Sequence, residues 1–301
     1  MYLNTHSYYS LKYGTRSPKQ LVEDAKAMGV DTLVLTDINN TSAGYTFYKA
    51  AKEVGVNPVL GVEYRNEDEL LFIGIARNNE GYRQLCKLLT EYSIRKQALP
   101  HRAPDLPDCF FVYRLGRHPE LLRENEYIGI MMHEVNKLYQ SPLLERPEKL
   151  LALCPVTFKD RDGYLAHKLL RAIDKNVLIT LVEDKSLAHI SETFHDTTHI
   201  HSHYAAYSFL IDNTLNMLSQ CSIEFIPTHH NNRRAFTGSK KEDLALLKKL
   251  AYNGLYKRYE SDNEEAKRRV KKELAVIDKM DFASYFLICL LYTSPSPRDR
   301  G

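Results

Sequence analysis

Up to Gln97 the chain alternates between short apolar runs and amphipathic segments, and this alternation constrains the fold more than any other feature. Three runs rich in aliphatic and β-branched residues are typical of buried strands: 30–36, 56–62 and 70–76. Three segments with apolar residues at helical spacing predict helices: 18–28, 43–54 and 80–92. This alternation favours an α/β fold with parallel strands and helical crossovers, either a barrel or an open doubly wound sheet.

Beyond Gln97 the pattern is less regular. Three prolines predict a loop: Pro100, Pro104 and Pro107. Two further strands are expected, at 128–132 and 155–158, and a short helix is expected over 147–153. A longer helix over 163–176 is expected to turn four apolar side chains inward: Leu165, Leu169, Ala172 and Ile173.

The character of the chain changes after a predicted helix at 204–221. Polar residues at 231–234 and 237–239 are typical of a linker, and two amphipathic helices are predicted at 240–257 and 264–280. We therefore expect an α/β domain, a barrel or an open doubly wound sheet, over 1–225 and a small helical segment over 226–288. The Ser-Pro repeats near the end predict that 289–301 forms a disordered tail.

Composition excludes several classes of protein. The formal net charge is +3, from 41 basic and 38 acidic residues, so no global charge excess marks a nucleic-acid binder. The longest nearly apolar run, 282–292, is far shorter than the ~20 residues that a membrane helix needs, and no secretory signal begins the sequence. The five cysteines form no C-x-x-C pair, which predicts neither a zinc ribbon nor a disulfide framework. A reduced, cytoplasmic protein without membrane contact is expected.

Three polar side chains stand where predicted strands end: His6, Asp37 and Glu63. In a parallel α/β barrel the carboxyl ends of the strands meet at one rim, where catalytic and metal-binding groups collect. An imidazole and two carboxylates are suitable ligands for Zn, Mn or Mg. The alternative is that each side chain caps a loop at the end of its strand.

Five segments resemble a known family in order and approximate spacing. They are NTHSYYS at 4–10, LVLTD at 33–37, FYKAA at 47–51, NPVLGVE at 57–63 and ARNNEGY at 76–82. Together they resemble the N-terminal domain of bacterial DNA polymerase III alpha subunits. Residues 213–215 resemble the exit from that domain, and 273–288 resemble the entry to the polymerase core. The resemblance implies a PHP (polymerase and histidinol phosphatase) domain, a distorted α/β barrel that holds a metal cluster in its active members.

The departures from the family pattern imply a degenerate metal site. Asn4 stands where the family has the first histidine of His-x-His, and Ile38 stands where it has the histidine of Asp-His. Neither an amide nor an aliphatic side chain replaces an imidazole lone pair. The later histidine ligands also have no clear counterpart, so Zn or Mn is not expected at the remnant formed by His6, Asp37 and Glu63. We expect the Asn4 amide to lie between the two carboxylates and Ile38 to keep water from that side.

Two other clusters invite a functional interpretation. The sequence His-Asp-Thr-Thr-His at 195–199 is one residue from the H-E-x-x-H zinc signature, but surface histidines ahead of a helix need no metal. A basic run is a candidate for contact with DNA phosphates: Lys267, Arg268, Arg269, Lys271 and Lys272. Acidic residues are interleaved with this run, and a solvated helix face is the alternative.

The resemblance implies a function for the whole protein that this chain does not carry alone. Family members extend primers with deoxynucleoside triphosphates on DNA, use Mg held by carboxylates of the polymerase core and contact other replisome subunits. Those carboxylates lie beyond residue 288 in the family, and Asp160-Arg161-Asp162 precedes the core. The rival interpretation is a metal-dependent PHP phosphoesterase or 3′–5′ exonuclease. The residues after Ile288 leave the family pattern, and we expect 289–301 to be foreign to the native protein.

Overall fold

The computed structural model describes residues 2–225, 235–260 and 262–292, with only the backbone described at 291 and 292. Contacts group the chain into two compact units, Met1–Phe225 and Ile226–Gly301. The first unit contains, in chain order, β1 (Asn4–Thr5), α1 (Pro18–Ala27), β2 (Thr32–Leu35), α2 (Gly44–Val54), β3 (Asn57–Asn66), β4 (Glu69–Ala76), α3 (Asn79–Arg95), β5 (Cys109–Arg114), β6 (Glu126–Ile130), β7 (Leu150–Ala152), β8 (Pro155–Val156), α4 (Arg161–Lys175), α5 (Thr197–His203) and α6 (Phe209–Ser219).

The strands form a curled sheet of mixed direction. Six of them are hydrogen-bonded in the order β2-β3-β4-β5-β6-β7, while β1 pairs in parallel with β8. A parallel bridge between Tyr2 and Leu33 joins the two-stranded sheet to β2, so the strands follow one another around a half-barrel. The predicted α/β class with helices following it is confirmed.

One strand departs from the parallel arrangement that the sequence predicted. β4 is antiparallel to both β3 and β5, whereas β2–β3, β5–β6 and β6–β7 are parallel. The reason is the length of the connection, because only Glu67 and Asp68 separate β3 from β4. Two residues suffice for a hairpin, but a parallel crossover needs a dozen or more.

Local sequence signals explain how the first helices begin and end. Ser17 accepts a hydrogen bond from the Gln20 amide while the Gln20 side chain returns one to the Ser17 amide, and Pro18 opens the first turn of α1. α2 ends at Gly55, whose φ of 73° lies in the left-handed region that glycine adopts without strain. Both boundaries lie where the sequence predicted them to within a residue or two.

The two faces of the curled sheet are both buried. One cluster joins side chains of the sheet, such as Leu33 and Phe111, to Leu21 of α1 and Phe47 of α2. The other cluster contains the alternate strand residues, including Val34 and Val112, together with Met217 of α6. Strands buried on both faces are nearly continuous in apolar residues, which is why their hydrophobic runs were visible in the sequence.

Two expectations in the middle of the chain were wrong. The segment 147–153 is not a helix, because Pro147–Lys149 forms a single 3-10 turn and β7 follows at once. β5 was missed because prolines precede it, although five of its six residues are buried and two sheet neighbours hold it. Tertiary pairing decides both cases, since short apolar runs suit a strand or a helix equally well.

The buried face of α4 is not the face that the sequence predicted. Leu165, Leu169 and Ile173 are 52%, 52% and 57% exposed, while Ala172 alone of the four predicted residues is buried. The inward face instead carries His167 and Arg171, and both have partners that compensate burial. The His167 ring hydrogen-bonds to the Tyr13 carbonyl and to the Ala188 amide, and Arg171 donates to the Ser186 carbonyl.

The second unit is helical in its described residues. It contains α7 (Lys240–Arg258), α8 (Glu264–Lys279) and α9 (Ala283–Tyr292), which share a small apolar cluster around Leu247, Leu274 and Leu287. Because α9 reaches Tyr292, the expectation of disorder was wrong for residues 289–292. The rest of that tail, 293–301, and the predicted linker at 231–234 lie outside the described residues. Across the described ranges, no helix is both long and apolar enough to cross a membrane.

The orientation of α4 leads to a test with a matched pair of substitutions on one helix. Leu169→Glu places a charge on the exposed face and should change the free energy of unfolding by about 0.5 kcal/mol or less. Ala172→Glu places the same charge at a site that is 4% exposed and should cost about 2 kcal/mol or more. Urea unfolding of both variants measures the difference, and equal losses would contradict the orientation.

Candidate functional site

The strand ends bring together part of the predicted constellation. His6 follows β1, Asp37 follows β2, and Glu63 lies within β3, with all three 1% exposed or less. A cavity of about 670 Å³ is lined by Asn4, His6 and Glu63 among others. Asp37 is not among the residues described as lining that cavity.

Both carboxylate oxygens of Glu63 are occupied by protein groups. Arg65 donates from Nε to Oε1, while the Asn4 amide nitrogen lies 2.6 Å and His6 Nε2 lies 3.0 Å from Oε2. Burial by itself raises the pKa of Glu63, but the charge of Arg65, followed by His6, lowers that pKa to about 2. Glu63 is therefore an ionised carboxylate whose negative charge is balanced by Arg65.

A chain of hydrogen bonds continues from Glu63 through His6. His6 Nδ1 lies 2.9 Å from Thr157 Oγ1, and Thr157 Oγ1 donates to Glu192 Oε2 over 2.6 Å. A threonine hydroxyl has one proton, so when it donates to Glu192 it can only accept from His6. Both ring nitrogens of His6 therefore already have a protein partner, Glu63 at Nε2 and Thr157 at Nδ1.

Asp37 serves the loop that follows β1. Its Oδ1 accepts from the Ser7 amide and the Ser10 hydroxyl, and its Oδ2 accepts from the Ser7 hydroxyl, all over 2.7 Å. Burial raises the pKa of Asp37, although these three hydrogen bonds oppose that effect. The geometry matches the alternative stated from the sequence, in which a strand-end carboxylate caps a loop.

Asn4 and Ile38, which stand where the family pattern has histidines, contact protein side chains. Asn4 donates to Glu63, and its oxygen accepts from Thr36 Oγ1 over 2.7 Å, so the amide does not bridge Glu63 and Asp37 as expected. Ile38 packs against an apolar cluster that contains Tyr13 and Phe158. These contacts agree with the expectation that Ile38 makes this side of the pocket apolar.

Arg65 is the residue that the sequence interpretation missed. Its guanidinium lies 4.5 Å from the centre of the Tyr13 ring and donates to the Tyr13 hydroxyl over 3.2 Å. Burial opposes its charge, but Glu63 and then Tyr13 raise the pKa of Arg65 further. The sequence contained a signal for the contact between Arg65 and Glu63, because residues two apart in a strand point to the same face.

The residues at this site do not fit a metal cluster. Glu63, Asp37 and both nitrogens of His6 already have protein partners, and a guanidinium lies where a cation would balance Glu63. Among the described residues, no group of three or more histidine, cysteine, aspartate or glutamate side chains is placed to hold one ion. Chemically, the site is a compensated network of buried charges and hydrogen bonds.

The Glu63–Arg65 pair predicts a specific dependence of stability on pH. Arg65→Met leaves a buried carboxylate without its counter-charge and should cost about 3–5 kcal/mol at pH 7. Glu63 has a folded-state pKa near 2, below the ordinary 4.5, so its contribution is present above pH 4.5 and lost as the pH falls towards 2. The deficit of Arg65→Met should therefore shrink as the pH is lowered through 4.5.

Urea unfolding at pH 7 and at pH 3.5 measures this effect. The matched control is Glu63→Gln combined with Arg65→Met, which removes both charges and should recover part of the loss at pH 7. A deficit that is the same at both pH values, with no recovery in the double variant, would contradict the role assigned to the pair.

Comparisons with known proteins agree with this fold. Residues 3–125 match the PHP domain family, and residues 245–296 match the family described as the bacterial DNA polymerase III alpha NTPase domain. A solved structure described as a putative metal-dependent phosphoesterase from Bifidobacterium adolescentis is 22% identical over 31% of this chain and 34% of that chain. Its TM-score of 0.23 is too low to support a shared site or substrate.

Curated relatives extend the similarity along nearly the whole chain. The DNA polymerase III subunit alpha of Halalkalibacterium halodurans is 26% identical, and the alignment covers 96% of this chain and 29% of that protein. The subunit of Treponema pallidum is 25% identical with the same coverage. The chain thus spans less than a third of the length of these relatives. Along nearly its whole length it is similar to the N-terminal region of bacterial DNA polymerase III alpha subunits, and its first part matches the PHP domain family.

Proposed function

We propose that this chain is the N-terminal part of a replicative DNA polymerase in which the PHP region is a structural module without hydrolytic activity. The whole protein would extend primers on DNA with deoxynucleoside triphosphates, in the cytoplasm and together with other replisome subunits. Its polymerase core would use Mg. The PHP remnant at His6, Asp37 and Glu63 would hold neither Zn nor Mn.

The observation that carries this proposal is the occupation of Glu63 by Arg65. A buried carboxylate needs a compensating charge, which a metal ion or a guanidinium can supply. Here Arg65 supplies it on one oxygen while Asn4 and His6 occupy the other. An incoming cation would have to displace an ion pair that is itself buried, with the Arg65 side chain 11% exposed and Glu63 fully buried.

The proposal also assigns no polymerase catalysis to these residues. Asp160 and Asp162 form the one Asp-x-Asp in the sequence. Asp160 precedes α4 and accepts a hydrogen bond from the Gly163 amide over 3.0 Å, which is the role of a helix cap. Asp162 lies in the first turn of the same helix, where a carboxylate is favoured by the helix dipole.

A structural module in a larger enzyme needs surfaces for protein contact, and α4 offers one. Its exposed apolar stripe consists of Leu165, Leu169 and Ile173, and Leu178 and Leu181 continue it at 71% and 64% exposure. Exposed apolar surface of this kind marks contact with other protein segments. The stripe supports contact with replisome subunits or with further parts of the polymerase.

The basic run of α8 supports weak contact with DNA in the second unit. Lys267 pairs with Glu264 over 2.7 Å and Arg269 pairs with Glu273 over 3.0 Å, both within the helix. Arg268 and Lys272 line a groove of about 690 Å³ beside Phe286. Basic side chains without an ion pair to an acidic neighbour are better placed to contact DNA phosphates than basic side chains that form one.

A metal and hydrolysis assay tests the silent PHP site against the phosphoesterase or exonuclease alternative. The chain is incubated with Mn²⁺ and dialysed, retained Mn is measured by elemental analysis, and hydrolysis of bis-p-nitrophenyl phosphate is followed. We expect no stoichiometric Mn and no hydrolysis above that of the His6→Ala variant. Retained Mn together with hydrolysis that His6→Ala abolishes would replace this proposal by the alternative.

A primer-extension assay tests where polymerase activity resides. The purified chain with primed DNA, deoxynucleoside triphosphates and Mg²⁺ should give no product above a sample without protein. A DNA polymerase of known activity on the same primer serves as the positive control. Extension by the 301-residue chain would show that the catalytic carboxylates lie within it.

A further inference from the structure

Three histidine rings form a row at α5, with His195 stacked on His199 and His203 tilted against His199, and none of them is among the described lining of the cavity above. The ring centroids of His195 and His199 are 4.8 Å apart, and those of His199 and His203 are 4.2 Å apart. The spacing of four residues places His199 and His203 on one face of the helix. α5 begins after Asp196, which accepts the His199 amide over 2.7 Å and so fixes the first turn.

His195 Nε2 lies 2.9 Å from the Ser191 carbonyl oxygen, but ring nitrogens of His199 and His203 remain available. His203 Nδ1 lies 3.0 Å from the His199 carbonyl, which can only accept, so Nδ1 carries the proton and Nε2 keeps its lone pair. His199 has no side-chain hydrogen bond to any described residue. A ligating histidine commonly donates its second nitrogen to a backbone carbonyl, and His203 already does so.

The surroundings of His199 favour its unprotonated state, which metal binding requires. Partial burial and then the neighbouring His203 and His195 lower the pKa of His199. His199 and His203 are both exposed, so small rotations of their side chains meet no core packing. The rings of His199 and His203 are therefore open to solvent.

We propose that His199 and His203 form a binding site for a borderline divalent cation of the Ni²⁺, Cu²⁺ and Zn²⁺ class. Two imidazoles four residues apart on a helix chelate such ions, as in the helical histidine pair of zinc proteases. Water completes the coordination, because no described group of three side chains converges on one ion. Two protein ligands predict a site of micromolar affinity that exchanges its ion with solution.

Occupation of this site stabilises the segment that contains it. α5 spans only seven residues, and Ile200 at 1% exposure anchors it to the core. The Tyr2 hydroxyl donates to the His195 carbonyl over 2.7 Å and accepts its amide over 2.9 Å, which ties the start of the row to β1. An ion that joins His199 to His203 restrains the helix and, through this tie, the first strand.

Isothermal titration of the chain with NiSO₄ at pH 7.5 tests the proposal, using His199→Ala, His203→Ala and, as matched control, His201→Ala. His201 lies on the same helix but outside the stacked row. We expect one Ni²⁺ bound to the unmodified chain, affinity reduced about tenfold or more in the first two variants and retained in His201→Ala. Protons compete for the imidazoles, so binding should be much weaker at pH 5.5.

A thermal readout separates a bound ion from a change in folding. Ni²⁺ should raise the Tm of the unmodified chain and of His201→Ala by a few degrees, and should leave the Tm of His199→Ala unchanged. Absence of binding to the unmodified chain would overturn the proposal, as would equal losses in His199→Ala and His201→Ala. The site uses no residue of the PHP remnant, so its failure leaves the proposed function unaffected.

Discussion

The buried pair of Glu63 and Arg65 is the interaction around which the site of the first unit is arranged. The negative charge of a fully buried carboxylate must be balanced by a positive charge. In this protein the guanidinium of Arg65 balances it, and the neighbouring side chains are those that accommodate a guanidinium. The guanidinium of Arg65 contacts the ring and the hydroxyl of Tyr13. The guanidinium carbon of Arg171 lies 5.5 Å from the centre of the same ring. The inverted face of α4 follows from this arrangement, because α4 supplies Arg171 and His167 to the interior.

The same network helps to close the curled sheet. β1 and β8 pair through only two residues each, which is a short ladder for the seam where early and late parts of the chain meet. The side chains of Glu63, His6, Thr157 and Glu192 cross that seam in one continuous set of hydrogen bonds. Polar side chains at the strand ends, His6 and Glu63 among them, can thus stabilise the fold through their hydrogen bonds.

Glu63 and Asp37 are both buried carboxylates, but their surroundings shift their pKa values in opposite directions. The charge of Arg65 and then His6 outweigh burial and lower the pKa of Glu63, whereas burial outweighs the hydrogen bonds from Ser10 and Ser7 and raises the pKa of Asp37. In the sequence both were candidate positions of one degenerate metal site, at which no Zn or Mn was expected. Their neighbours give one a role in charge compensation and the other a role in shaping the loop of Ser7 and Ser10.

The sequence by itself determined the secondary elements of the first hundred residues and the family, because periodicity, helix caps and motif order are local properties. It also predicted that His6, Asp37 and Glu63 converge at strand ends; the structure joins His6 to Glu63, while Asp37 binds Ser7 and Ser10. Only the tertiary structure decided which side chains pair, namely Arg65 with Glu63 and Thr157 with Glu192. It also decided that polar rather than apolar residues of α4 face the interior. These choices depend on side chains that are distant in sequence, and helical spacing identifies a face without telling which face is inside.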